Sequence, residues 1–325
     1  MKSILRMIKR CIRRGLGISF DAANIQRQIE IVRNETAEAK MLIAKVLLSE
    51  KRHQDTLETI QDAEFKVFSQ FGDDGIIQYL IGHLVIESRE FIEFGVQNYE
   101  ESNTRFLLIN NNWRGLVIEA NKWKIKHIKK DNISCRHDLT AVCAFVDRDN
   151  INDIFLENGF TGEIGILSID IDGNDYWVWD AINVVDPVLV LVEYNSIFGD
   201  KHAVTIPYDA KFSRTEAHYS NLYYGASLKA LCILAEKKGY SFVGSISAGN
   251  NAYFVRKDKM GRLKALSVQE GYVMSKFRES RNQRGELTYI SGKQRIQFIA
   301  DMPVYDIERG VEVKIRDLFE EDMNL

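Results

Sequence analysis

Four apolar runs in this chain each end on a carboxylate. They are Phe91-Ile92-Glu93-Phe94-Gly95, Gly115-Leu116-Val117-Ile118-Glu119, Ile166-Leu167-Ser168-Ile169-Asp170-Ile171-Asp172-Gly173 and Val188-Leu189-Val190-Leu191-Val192-Glu193-Tyr194-Asn195. Short continuous runs of Val, Ile and Leu fit strands buried on both faces, as in a parallel sheet covered by helices. In such a sheet the ligand crevice lies outside the carboxyl ends of the strands. The order "apolar run, then acid" therefore delivers Glu93, Glu119, Asp170, Asp172, Glu193 and Asn195 to one edge, where the chemistry is expected.

Helical patterns separate the runs, at Glu101 to Asn110, Lys122 to Lys130, Ile151 to Asn158, Trp177 to Ile182 and Ser227 to Lys238. A further short strand is expected near Ile133 to His137. Such alternation predicts an α/β fold with a mostly parallel sheet. Ser241–Ser245 and Ala252–Arg256, joined across Gly249-Asn250, predict an antiparallel hairpin that closes it. The 325 residues are 45% hydrophobic and 27% charged, ordinary for a globular protein, and a net charge of −3 gives no reason to expect nucleic acid. Cys11, Cys135, Cys143 and Cys232 form no CxxC pair, so reduced thiols in a cytoplasmic protein are expected. No stretch approaches the roughly 18 to 20 apolar residues of a membrane span.

Four regions follow. Residues 1–20 carry Lys2, Arg6, Lys9, Arg10, Arg13 and Arg14, no acid, and Ile4, Leu5, Ile8 and Ile12 at helical spacing. This basic amphipathic segment either meets the anionic inner membrane surface or serves as a solvated or docking terminus. Residues 21–64 predict a long helix, because no Pro or Gly occurs from Ala22 to Ile60. Ile25, Ile29, Val32, Thr36, Ala39, Ile43 and Val46 trace a heptad seam that fades at Glu50 and His53 and resumes at Leu57 and Ile60. That seam implies either a homo-oligomer through residues 22–60 or packing on the next domain. Residues 65–258 form the main domain, opening with Phe68-Ser69-Gln70-Phe71-Gly72-Asp73-Asp74-Gly75, a helix start that suits an anion or its own Asp cap. Residues 259–325 are charged and less periodic, a tail or lid.

The segments Phe91 to Asn98, Gly115 to Asn121 and Leu167 to Asp175 occur in the order and spacing of S-adenosylmethionine-dependent methyltransferases. Over roughly residues 65 to 258 the chain resembles the FkbM-like group, associated with O-methylation of sugars in natural products and surface glycans. The resemblance implies a doubly wound sheet with an antiparallel final strand, S-adenosylmethionine as cofactor, and a small-molecule or glycan acceptor. It places Glu93 and Gly95 at the turn that approaches the cofactor's amino-acid end. Gln97 and Tyr99 stand where further glycines are usual, and a residue with a Cβ adopts positive φ only at a cost. Gln97, Asn98 and Ser102 are then candidate side-chain donors to the cofactor carboxylate.

Glu119 lies where an acid can accept both hydroxyls of a ribose. The resemblance makes Asp138 either an acceptor from the adenine amino group or the cap of a helix from Leu139. It matches Asp170 to the acid that ends the fourth strand, the candidate catalytic carboxylate. Asp172, Glu193 and Asn195 offer oxygens from adjacent strand ends, as in metal-dependent O-methyltransferases. They form either a Mg²⁺ site or a hydrogen-bond network that positions the substrate. His218, in a polar loop after the fifth strand, is a candidate general base for a sugar hydroxyl. A competing reading is a non-catalytic scaffold built on the same fold and the N-terminal helix.

Overall fold

Parallel pairing unites the four carboxylate-ending runs in one sheet. The computed structural model describes residues 22–51 and 57–319. The strands in chain order are β1 (Glu90–Phe94), β2 (Arg114–Glu119), β3 (Leu139–Cys143), β4 (Gly162–Ile169), β5 (Val185–Glu193), β6 (Val204–Thr205), β7 (Tyr240–Ser245) and β8 (Asn251–Arg256), then β9 (Pro303–Asp306) and β10 (Val311–Lys314). Seven of them form the main sheet in the order β3-β2-β1-β4-β5-β8-β7. β1 to β5 run parallel, while β8 lies antiparallel to both β5 and β7. The expected α/β fold and closing hairpin are both present.

Alternation along each strand explains why the runs are apolar without a break. Ile92, Phe94, Leu116, Ile118, Leu167, Ile169, Val190 and Val192 face one core, with helices Ile151–Glu157, Asp175–Ala181 and Leu228–Lys237. Phe91, Val117, Ile166, Leu189 and Leu191 face the other, with helices Asp73–His83, Arg105–Asn111 and Lys122–Lys130. Successive residues point to opposite faces, so a sheet covered on both sides admits no polar position until the strand ends. Each fully buried aliphatic or Phe side chain contributes about 1.5–3 kcal/mol.

Two sequence expectations are corrected. Ile133–Arg136 is a helical turn rather than a strand, and β3 starts at Leu139. Asn132 and Asp131 turn the chain there: the Asp131 carboxylate accepts from the Ile133 N–H, and the Asn132 carbonyl accepts from Arg136. The region after residue 259 is more than a tail. β9 and β10 pair with β6 in a second sheet of order β10-β9-β6. Its core joins Phe198, Val204 and Ile206 to Ile299, Val304 and Ile315. Tyr194 and Ser196, just past β5, bond to Val273 and Ser275, which seats the C-terminal segment on the loop leaving the carboxyl edge.

The helix Ala22–Lys51 belongs to a separate unit, Met1–His53, apart from Gln54–Leu325. It ends before the expected continuation. Ile60 instead opens a short 3-10 turn and is buried in the core of the second unit. The basic segment 1–20 lies outside the described residues. No described helix is long and apolar enough to cross a membrane.

Candidate active site

In the strand order, β1 and β4 adjoin where the chain reverses its direction of travel across the sheet, the place where open α/β sheets bind their ligands. Gly95 ends β1 there with φ +81°, and a Cβ at this position would lie 1.7 Å from the Asp170 carbonyl oxygen. Only glycine allows this close approach. The next residues keep glycine-like geometry without being glycine: Gln97 has φ 51° and Tyr99 φ 62°. Tyr99 is held there by full burial, by its hydroxyl at 3.0 Å from Thr104 Oγ1 and by Arg105 donating to its carbonyl. Gln97 is held by donating its N–H to Glu119 at 2.9 Å.

Left-handed backbone costs an L-residue about 1–2 kcal/mol, whereas glycine adds only a smaller unfolded-state entropy cost. Gln97→Gly is therefore expected to stabilise the fold by about 0.5–1 kcal/mol, and Gln97→Val to destabilise it by more than that. Urea unfolding checks both. A less stable Gln97→Gly variant would mean the side chain, not the backbone, holds the turn.

Glu93 is buried and fully engaged. It accepts from the Ser102 hydroxyl at 2.6 Å, from the Asn103 and Thr104 N–H groups at 2.9 and 3.1 Å, and from the Thr104 hydroxyl. Burial pushes its carboxyl up against the pull of these donors. Its role in the geometry is to fix the turn 102–104, and Ser102 is bound to it rather than open to a ligand. Asn98 accepts from the Glu100 N–H at 3.3 Å. Glu119 bridges the loops that follow β1 and β2. One oxygen accepts from Gln97 and the other from the Asn121 N–H, each at 2.9 Å. Each carboxylate oxygen has two lone pairs, so one on each remains for a vicinal diol.

At the ends of β4 and β5 the carboxylates gather. Oxygens of Asp170, Asp172 and Glu193 all lie within 4.8 Å of one another. The segment 170–175 closes on itself: the Asp175 carboxylate accepts from the Ile171 and Gly173 N–H groups at 2.9 Å each. Asp172 takes a left-handed φ of 57°, and Gly173 faces the Phe212 ring, which a Cβ would strike at 2.3 Å. Asn174 and Trp177 anchor the overlying loop by donating to the carbonyls of Asp209 and Ile206.

Arg214 comes down from that loop. It meets Asp172 at 2.6 Å, donates to the Asn221 carbonyl, and lies 3.7 Å over the Tyr224 ring. Asp170 makes no side-chain hydrogen bond among the described residues, and Glu193 Oε2 is buried without a partner. Burial raises both carboxyls well above the ordinary range, and each is raised further by the other acids, with Arg214 opposing. Burial likewise pushes Asp175 to about 6.

Raised carboxyls hold protons more tightly folded than unfolded. Their stabilising share is complete below the unfolded carboxylate range and is lost as pH rises through the folded values. Thermal stability should therefore fall from about pH 4 upward, through the Asp175 value near 6 and beyond it as Asp170 and Glu193 ionise. Glu193→Gln removes one carboxyl from the cluster, so its stability relative to the parent should rise with pH. Its melting curve should also depend less on pH. A variant that is less stable at pH 8, with an unchanged pH slope, would overturn this reading.

Two sequence assignments are corrected. Asp138 neither follows a strand nor caps a helix. It precedes β3, and its carbonyl accepts from Gly115 near the start of β2, so it sits at the amino edge, away from the crevice. The cause is the helical turn 133–136, which displaces the strand beyond it. Asn195 is engaged by the following loop instead: its amide donates to the carbonyls of Leu222 and Tyr224, and its oxygen accepts from the Ile197 N–H. It fastens the loop that carries Arg214, and the acidic trio is completed by Asp170 instead. His218 turns to Ser220 at 2.7 Å and stacks on Tyr219, while burial lowers its basicity. The loop delivers Arg214 to the acids. Charge balance was the available signal, since buried carboxylates require a cation.

The helix start at Phe68–Gly75 is filled by its own acid. Asp74 accepts from the Val67, Phe68 and Ser69 N–H groups at 2.7, 2.7 and 2.8 Å, which leaves no anion site.

No family model matches the chain, and no curated protein matches it. Among solved structures it is similar to the citrinin polyketide synthase CMeT domain, at 9% identity over 57% of this chain and 51% of that one, with a TM-score of 0.38. It is similar to an S-adenosylmethionine-dependent methyltransferase from Clostridium acetobutylicum ATCC 824, at 8% identity over 56% and 89% of the two chains, with a TM-score of 0.36. M. capricolum TrmK in complex with S-adenosyl-homocysteine gives 12% identity over 57% and 70%, with a TM-score of 0.33. The chain spans about half the length of the first of these. At such identities the likeness concerns fold alone.

Proposed function

We propose that this chain is an S-adenosylmethionine-dependent O-methyltransferase of the FkbM-like kind, acting on a sugar hydroxyl of a glycan or glycosylated metabolite. The observation that carries the reading is the meeting of Gly95 and Asp170 at the β1/β4 crevice, with Glu119 beside it on the carboxyl edge. The cofactor fits the residues present: Gly95 lets the chain after β1 pack against the Asp170 carbonyl, and Glu119 keeps one lone pair per oxygen for a ribose diol. When bound, it supplies a methyl group on a sulfonium centre.

The protein's share is to orient the acceptor hydroxyl in line with that methyl and to take the hydroxyl proton. Asp170 is the carboxylate free to accept it. Arg214 holds Asp172 and offers its remaining donors to the acceptor's neighbouring oxygens. Tyr224 backs the guanidinium. With a divalent cation such as Mg²⁺ bound instead, Asp170, Asp172 and Glu193 would hold it through their oxygens, with Asp170 a ligand rather than the base, and the unpartnered Glu193 oxygen suits that use.

Calorimetric titration with S-adenosylmethionine, S-adenosylhomocysteine and NAD tests the reading. The sulfonium compound and its product should bind and NAD should not. Silence with all of them would instead support a scaffold. Repeating the titration with Mg²⁺ and with EDTA decides the cation: unchanged affinity and melting temperature would remove it.

A further inference from the structure

The long N-terminal helix shows a mismatch between the face it covers and the face its sequence repeats. Ala44 is buried, and Ala37, Met41 and Leu48 on the same side are half-buried. The heptad seam is elsewhere and lies open to solvent: Ile25 is 44% exposed, Ile29 51%, Val32 58%, Ile43 61% and Val46 57%. Five β-branched aliphatic side chains in one stripe would be left in water on a free helix. A stripe with this spacing is the recognition element of a coiled coil.

We propose that Ala22–Lys51 is one strand of a parallel coiled coil formed with further copies of the same chain. The register follows from the seam, with Ile29, Thr36 and Ile43 at a, and Ile25, Val32, Ala39 and Val46 at d. In a parallel arrangement each g residue faces the e residue five positions on in its neighbour. Glu35 then meets Lys40, and Leu42, itself 65% exposed, meets Leu47. An antiparallel arrangement sets e against e and g against g, which opposes Arg33 to Lys40 in one register, and Arg33 to Arg33 and Glu35 to Glu35 in the register displaced by a heptad. Charge complementarity therefore selects both the occupant, a copy of this chain, and its direction. β-Branched residues at both a and d favour three strands over two, and Thr36 at a weakens but does not break the seam.

This inference is independent of the methyltransferase reading, because it concerns a helix outside the catalytic unit. Sedimentation equilibrium on the full chain tests it. The expected mass is a multiple of 37.4 kDa, and three copies are favoured. Ile29→Asp combined with Ile43→Asp should return it to a single chain, with the melting temperature of the second unit unchanged. Val46→Cys should form an interchain disulfide on mild oxidation that the parent protein does not form, as parallel strands bring equivalent d positions together. Glu35→Lys should weaken the assembly, and adding Lys40→Glu should restore it. A parent protein that sediments as one chain overturns the proposal. So does a multimer unaffected by the double Asp variant, or a Val46→Cys protein that stays monomeric on oxidation.

Discussion

Under the proposed function, Asp170→Asn is expected to lower methyl transfer by about 10²–10⁴-fold, the usual contribution of a positioned general base, with S-adenosylmethionine affinity unchanged. Asp170 follows β4 directly, half-buried, with its carbonyl against Gly95, and no hydrogen bond from a described residue ties its carboxylate down. Asparagine keeps the shape and removes the proton acceptor. Burial together with Asp172, Asp175 and Glu93 raises the Asp170 carboxyl, while Arg214 opposes them. The base works only when ionised, so kcat/KM should rise with pH through a value above the ordinary carboxylate range. Arg214→Ala removes the opposing charge and should move that rise to still higher pH. A variant at Asp170 that keeps more than a tenth of the parent kcat, or a rate flat across this range, would take the base role away from it.

Glu119→Ala is expected to weaken S-adenosylmethionine binding at least tenfold. Hydrogen bonds to a charged acceptor contribute about 1.5–3 kcal/mol each, and 1.4 kcal/mol is a factor of ten, so losing even one reaches that threshold. Glu119 also ties the Gln97 and Asn121 backbones together, so truncation could act through loosened turns. A ribose-deoxy analogue of S-adenosylhomocysteine separates these effects. The parent protein should discriminate strongly against the analogue, and the Glu119→Ala variant should bind the analogue and the parent compound alike. Undiminished discrimination in the variant would show that Glu119 shapes the loops without touching the sugar.

The strands were legible because burial on both faces removes polar residues from their interiors, as in Val188 to Val192 and Gly115 to Ile118. The region around Ile133 misled because a short apolar segment fits a buried helical turn as well as a strand, and only the packing of Ile133 in the core decides. The seam from Ile25 to Val46 was readable from spacing, although the same spacing gave no sign that Ile60 belongs to the other unit. Left-handed geometry at Gln97 and Tyr99 could not be read from residue type. It is enforced by Glu119 and by burial of the tyrosine, contacts that lie 22 residues apart in one case.

By itself the sequence determined where the apolar runs lie and that Glu119, Asp170, Asp172 and Glu193 close them, because the place of an acid within a run is a local property; parallel pairing then carries those acids to a single edge. Which of those acids act together was decided only by tertiary structure. Asn195 turns inward to carbonyls and Asp138 falls at the far edge, while Arg214 arrives from a loop 42 residues beyond Asp172. A buried carboxylate is tolerated where a cation or donors reach it, and that reach is a distance in space, which spacing along a chain does not encode.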